Sequence, residues 1–244
     1  MKVKEKVLII IPAYNEAGNI EKLIDEIEKK CPDYDYVIIN DGSTDKTEEI
    51  CKIRGFNLIS LPLNLGIGGA VQTGYRYAYD NGYDIAIQID GDGQHDCSFL
   101  EQMLEPIRNK EAEIVIGSRF IQGKGFQSTV FRRAGIIFLS ILIQYTCFVK
   151  IKDVTSGLRA VNQRFISIYA KDYPSDYPEP EAIVEAVMNR GIIREIPVVM
   201  RERGSGNSSI NLAKSIYYMI KVTLAIIVCR ISYGVRRGKK NVTG

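Results

Sequence analysis

Histidine occurs once in this 244-residue chain, at His95, and the five cysteines (Cys31, Cys51, Cys97, Cys147, Cys229) include no CxxC pair. A zinc site or a disulfide framework needs clustered His and Cys, so both are excluded and a reducing, cytoplasmic setting is expected. Met1 to Lys6 is charged and lacks the apolar core and small-residue cleavage site of a signal peptide. The uncharged stretch Ala134–Val149, between Arg133 and Lys150, has sixteen residues, short of the ~20 that cross a membrane. There is no internal repeat and no low-complexity linker. Acidic residues are absent after Glu202, whereas eight Lys and Arg follow it. Residues 1–202 therefore carry −5 although the whole chain carries +3. A basic tail on an acidic body suggests an anionic partner.

What is present suits one α/β domain. Hydrophobic residues make up 45% and charged residues 25%, the ordinary globular range. Apolar runs at Val7–Ile11, Val37–Ile39, Phe56–Leu61, Ile85–Ile89 and Ile114–Ile116 read as strands. Between them, Ile20, Leu23, Ile24 and Ile27 fall on one helical face, and Asp45–Arg54, Gly69–Asn81 and Ser98–Asn109 read as helices. Strands separated by helices imply parallel βαβ units, with ligands bound beyond the carboxyl ends of the strands. Further on, the pattern predicts strands near Leu158–Val161 and Ile193–Met200 and a helix near Glu181–Asn189. A last, largely apolar helix over 210–231 carries Lys214, Lys221 and Arg230.

The unusual residues cluster at those strand ends. Asp90-Gly91-Asp92-Gly93-Gln94-His95 follows the fourth strand, and two carboxylates one residue apart can hold a hard divalent cation beside a diphosphate. An EF-hand has similar acidic spacing, but His95 stands where that loop needs glycine, and a strand precedes the loop where a helix is required. Pro12-Ala13-Tyr14-Asn15-Glu16 follows the first strand, and Asn40-Asp41-Gly42-Ser43-Thr44-Asp45 the second. Alone, the latter reads equally well as a turn and helix N-cap. Asn64-Leu65-Gly66-Ile67-Gly68-Gly69-Ala70 enters a helix and can lie against phosphate. It fits neither GxGxxG nor GxxxxGK[ST], which weakens dehydrogenase and P-loop readings.

Taken together, these loops resemble family 2 glycosyltransferases of GT-A fold over about residues 6–210. Gly117-Ser118-Arg119-Phe120, Thr155-Ser156-Gly157-Leu158-Arg159, and Arg203 followed by Gly206 and Ser208 resemble the dolichyl-phosphate-mannose-synthase-like, polyprenyl-phosphate branch. The resemblance implies a Rossmann-like, mostly parallel sheet flanked by helices, with C-terminal amphipathic membrane-associating helices. It implies a domain over 1–209, with a nucleotide-sugar half at about 1–117 and an acceptor half at about 118–209; residues 210–244 form an amphipathic helix and basic tail. It implies Pro12, Tyr14, Glu16 and Asp41 around base and ribose, with Asn64, Gly69, Asp90 and Gly91 also on the nucleotide-sugar. Asp90, Asp92 and Gln94 are implied at Mg²⁺ or Mn²⁺, Arg119 and Arg203 near the phosphates, and Glu181 at an acidic position of the branch.

The reaction so implied is inverting displacement of a nucleoside diphosphate, with the metal and arginines stabilising the leaving group. A sugar-hydroxyl acceptor needs a general base, for which Glu179, Glu181 and Asp176 are candidates. A lipid phosphate is already ionised and needs cations instead, for which Arg119, Arg132, Arg133 and Arg203 are candidates. The leading expectation is transfer of a hexose or N-acetylhexosamine from a UDP-sugar to undecaprenyl phosphate, peripherally at the cytoplasmic membrane face, for cell-envelope polysaccharide. The alternative acceptor is a growing surface polysaccharide. Ala134–Val149 and the last helix are expected at the membrane interface, with Arg236, Arg237, Lys239 and Lys240 on anionic headgroups. Relatives with two further transmembrane helices make a small membrane-protein partner an added expectation, alongside a homo-oligomer. Nucleic-acid binding lacks a basic stripe with interleaved aromatics. A nucleotidyltransferase also uses paired Asp and metal, and preferential turnover of nucleoside triphosphate would mark it.

Overall fold

The computed structural model describes residues 5–125, 130–175, 178–201, 219–228 and 231. The first half runs β1 (Val7–Ala13), α1 (Ile20–Lys30), β2 (Asp35–Asn40), α2 (Thr47–Ile53), β3 (Leu58–Ser60), α3 (Gly66–Asp80) and β4 (Ile85–Gln88). The second continues with α4 (Leu100–Arg108), β5 (Ile114–Ser118), α5 (Val130–Cys147), β6 (Arg159–Asn162), α6 (Gln163–Lys171), α7 (Pro178–Met188) and β7 (Ile193–Pro197). All seven strands form one sheet in the order β3-β2-β1-β4-β6-β5-β7. β1 lies inside the sheet between β2 and β4 and is buried along its whole length, which is why its sequence is a continuous apolar run.

Strand alternation divides the core between the sheet's two faces. Leu8, Ile10, Val37 and Ile39 pack with α3 and α6 residues such as Val71, Tyr75 and Phe165. Ile9, Ile11 and Ile38 pack with Leu23, Ile24, Ile27 and Met103 of α1 and α4. The helical face read at Ile20, Leu23, Ile24 and Ile27 is the buried face of α1.

The parallel expectation holds across β3, β2, β1 and β4, and again between β5 and β7. β6 departs from it: it lies between β4 and β5, antiparallel to both. The helix expected over Ser98–Asn109 begins as a single tight turn, Cys97–Phe99, where an Asp96 carboxylate oxygen accepts from Ser98 N at 2.9 Å. The strand expected to reach Met200 ends at Pro197. α6 lies where no helix was expected; Asn162 caps it by accepting from Phe165 N at 3.1 Å.

No helix among the described residues is long and apolar enough to cross a membrane. α5 buries Ile136, Leu139, Ile143 and Cys147 but leaves Ile137, Phe138, Ile141 and Tyr145 exposed. Of the expected last helix, 219–228 is described and helical. It buries Val222 and Ile226 and exposes Ile220, Leu224 and Val228. The two helices touch: a methyl group on Gly135 of α5 would come within 3.0 Å of Met219 Sδ.

Candidate active site

The carboxyl ends of β1, β2 and β4 open onto a cleft of about 420 Å³. Of the predicted donor-binding residues, Pro12, Tyr14, Glu16, Asp41, Asn64, Asp90, Gly91 and Asp92 line it. The loops that carry them are bound to one another. Asn15, at φ 57°, turns its side chain so that Oδ1 accepts from Thr44 N at 2.8 Å and Asp45 N at 3.3 Å. Asn15 N donates to Ser43 Oγ at 3.0 Å, Glu16 N to Thr47 Oγ1 at 2.8 Å, and Ala17 N to Asp45 Oδ2 at 3.1 Å. Asp41 Oδ1 accepts from Leu65 N at 2.7 Å, which ties the second loop to the start of α3.

The glycines entering α3 have two different jobs. Gly66, at φ +79°, lines the cleft together with Ile67. Gly68 is outside the cleft lining and donates from its N to Ser175 O at 3.2 Å, so close that a side chain would strike the 174–175 backbone. Gly69 lies outside the cleft lining, crowded by Leu65, the residue that precedes α3.

At the far end, Asp90 and Asp92 stand where β4 leaves the sheet. Oδ2 of Asp90 lies 3.1 Å from Nε2 of the buried His95. Burial pushes the Asp90 carboxyl up, but the hydrogen bond and charge at His95, with Arg119 and Arg132, hold it below the usual carboxylate range. Asp92 Oδ1 accepts from Gln94 N at 3.0 Å. The Gln94 side-chain amide donates to Arg201 O at 3.0 Å, and Arg201 N donates to Gln94 O at 2.9 Å. Arg201 in turn pairs with Glu26 at 2.6 Å and Asp96 at 3.0 Å.

Among the described residues no three His, Cys, Asp or Glu side chains gather as a metal cage. Two carboxylates at a strand end nevertheless fit a hard cation that takes its other ligands from diphosphate oxygens and water. Gly157 supports this fit by leaving the space against the Asp90 carboxylate free of any side chain. With Mg²⁺ or Mn²⁺ bound there, Asp90 and Asp92 would hold an ion that neutralises a leaving diphosphate.

The remaining predicted residues are placed differently. Arg119 is buried and forked onto Asp153, with Nε to Oδ2 at 2.7 Å and Nη2 to Oδ1 at 2.6 Å. It also donates to Thr155 Oγ1 at 3.0 Å. Glu181 sits partly buried in the first turn of α7, outside the cleft lining. Near it, the carboxyl of Glu179 is pushed up by burial, and Asp90 adds to that, against the pull of Arg159 and Arg132. Arg203 and Asp176 lie outside the described residues.

The sequence reading gave no individual role to His95, Asp153 or Arg201. Their partners lie 5, 34 and 175 positions away, and no local pattern announces such pairs.

Comparison with known proteins agrees with this geometry. The model of Glycosyl transferase family 2 matches residues 8–168. The UDP-N-acetylglucosamine–dolichyl-phosphate N-acetylglucosaminyltransferase of Methanococcus voltae is 32% identical over 213 residues, 79% of this chain and 84% of that protein. The polyprenol monophosphomannose synthase of Mycolicibacterium smegmatis is 25% identical over 230 residues, 89% of this chain and 86% of that protein. Among solved structures, glucosyl-3-phosphoglycerate synthase of Mycobacterium tuberculosis, in complex with Mn²⁺, UDP and its product, shares the fold. Its TM-score is 0.68 at 20% identity, covering 93% of this chain and 80% of that one. The stitched loops, the paired aspartates and a family match along about two thirds of the length lead to one assignment: the chain belongs to glycosyl transferase family 2.

Proposed function

We propose that the protein transfers a hexose or N-acetylhexosamine from a UDP-sugar to the phosphate of a polyprenyl lipid, working peripherally at the cytoplasmic membrane face. The observation that carries this reading is the exposed apolar surface shared by α5 and 219–228. Ile137, Phe138, Ile141, Tyr145, Ile220, Leu224 and Val228 are each about half exposed or more. A surface of that kind marks an interaction site, and helices with one apolar exposed face lie well in a bilayer interface. Arg132 and Arg133 stand exposed at the start of α5, and the charge of Arg132 is felt at both Asp90 and Glu179. The Asp90 end of the cleft is therefore within electrostatic reach of the start of α5. The names of the relatives from Methanococcus voltae and Mycolicibacterium smegmatis, and of the undecaprenyl-phosphate mannosyltransferase of Micrococcus luteus, point to the same acceptor class.

In this reaction a lipid-phosphate oxygen attacks the anomeric carbon as the bond to the diphosphate breaks. The products are a sugar phospholipid and a nucleoside diphosphate. Pro12, Tyr14, Glu16 and Asp41 would hold the nucleoside, and Asp90, Asp92 and Gln94 the metal end. Arg119 would act through the field it shares with Asp90, and Arg203 would join the phosphates. The deciding experiment incubates the protein with Mg²⁺ or Mn²⁺, UDP- and GDP-sugars, and undecaprenyl phosphate in detergent. Mass spectrometry should find a lipid-linked sugar that disappears in Asp92→Asn. Donor turnover without any lipid product would shift the acceptor to a sugar hydroxyl. That second reading is favoured by the raised carboxyl of Glu179, a suitable general base, and under it Glu179→Gln abolishes transfer.

A further inference from the structure

Asp90 is held from two sides by residues outside the predicted donor set. On one side the buried His95 places Nε2 3.1 Å from Oδ2. His95 is itself fixed, because its backbone forms an antiparallel bridge with Met200 and the chain continues into the Arg201–Glu26–Asp96 ion pairs. On the other side lies Gly157, whose added Cβ would fall 2.6 Å from Oδ1, 2.7 Å from Oδ2 and 3.0 Å from Cγ of Asp90. Those three atoms are the nearest such a Cβ would meet. The glycine is not demanded by a left-handed backbone, since Gly157 is absent from the positive-φ glycines. Its missing side chain answers to the Asp90 carboxylate.

We propose that His95 is a positioning residue which, with Gly157 as a bare backbone floor, locks the Asp90 carboxylate into one orientation for the divalent cation. With its Nε2 protonated, His95 would donate to Oδ2, and Asp90 and Asp92 together would hold the cation, which would supply charge neutralisation at the diphosphate. Asp92, on the turn it closes with Gln94 N, supplies the second carboxylate. An outer partner that orients a ligating carboxylate governs metal affinity without touching the metal. The inference rests on the metal reading of the site. It adds that two residues which touch neither metal nor nucleotide set the affinity of the pair.

The test measures UDP binding by titration calorimetry, with and without Mn²⁺, on wild type, His95→Ala, His95→Gln, Gly157→Ala and Asp90→Asn. For His95→Ala and Gly157→Ala the Mn²⁺-dependent affinity is expected to fall about 10–100-fold, with metal-free UDP binding unchanged. The unchanged metal-free binding also reports that each variant is folded. His95→Gln, which keeps an N–H donor, should recover most of the loss. In an Asp90→Asn background, His95→Ala and Gly157→Ala should add nothing further, because all act through one carboxylate. Equal losses with and without Mn²⁺, or Mn²⁺-dependent binding like wild type in both variants, would overturn the proposal. If wild type itself binds UDP no better with Mn²⁺, the metal reading falls and takes this inference with it. If wild type responds to Mn²⁺ and the variants do not differ from it, the inference alone fails.

Discussion

The donor end of the sheet and the face made by α5 and 219–228 are built on opposite principles. Around the cleft, polar groups are satisfied by one another. Asn15 bridges two loops, Asp41 holds the start of α3, and Gln94 and Arg201 exchange hydrogen bonds. Such mutual hydrogen bonding over-determines the loops, so a small, defined ligand meets a preformed site. On the α5 side, past the exposed Arg132 and Arg133, the exposed surface is dominated by the apolar Ile137, Phe138, Ile141 and Tyr145. A surface of that kind discriminates little by shape and gains its energy from area removed from water. Rigid polar loops suit a nucleotide that must be positioned to a fraction of an ångström. A loosely specified apolar face suits a long lipid or a bilayer.

The largest expected effect tests the junction between these regions. Arg119 and Asp153 form a buried ion pair where β5 leaves the sheet. Removing one partner strands a buried charge, so Asp153→Ala should cost about 3–5 kcal/mol of stability in denaturant unfolding. A loss under 1 kcal/mol would mean that Arg119 finds water or another anion, and the two regions would be less tightly joined than described. Next in size, Asp92→Asn should lower turnover on the order of 10²–10³-fold while thermal stability stays near wild type. Phe138→Asp combined with Ile141→Asp changes the opposite region. Both residues are about half exposed, at 50% and 49%, so folding should be unaffected. Flotation with anionic vesicles should weaken on the order of 10²-fold, from the lost apolar contact of two side chains. Unchanged flotation would place the lipid contact elsewhere and remove the contrast between the two faces.

The same contrast explains what the sequence made legible. The loops that line the cleft were readable because each follows a largely apolar strand run, and loops after parallel strands gather at one end of the sheet. Helix α1 was readable from Ile20, Leu23, Ile24 and Ile27 alone. Strand β6 was located but given no orientation, since four residues beginning with the buried Arg159 carry no periodicity that distinguishes antiparallel from parallel pairing. Helix α6 does carry a pattern, with Phe165, Ile166, Tyr169 and Ala170 buried and Asn162 as its cap. Its nine residues follow directly on a strand, without a breaker to announce it. The support of Asp90 by His95 and Gly157 was hidden for another reason: Gly157 lies 67 positions from Asp90, and a glycine chosen for the space it leaves looks like any turn glycine.

The smallest effect separates the core behind the cleft from the cleft itself. Glu185 lies in α7, away from the cleft lining, and burial, with the nearby Asp172 charge, pushes its carboxyl up to about 7 from 4.5. A carboxyl whose pKa is higher folded than unfolded binds its proton more tightly in the folded state. Its contribution is therefore complete below about pH 4.5 and is lost as pH rises through about 7. Above pH 7 the ionised, half-buried carboxylate opposes folding. Glu185→Gln should consequently match wild type near pH 4.5 and exceed it at pH 8 by a few degrees in melting midpoint, at about 2–4 °C per kcal/mol for a chain of this size. Transfer activity should be unchanged in the variant at either pH, because Glu185 lies outside the cleft lining. A variant less stable than wild type at pH 8 would show that the Glu185 carboxylate has found a cation, and that this part of α7 belongs with the ion-paired region around the cleft.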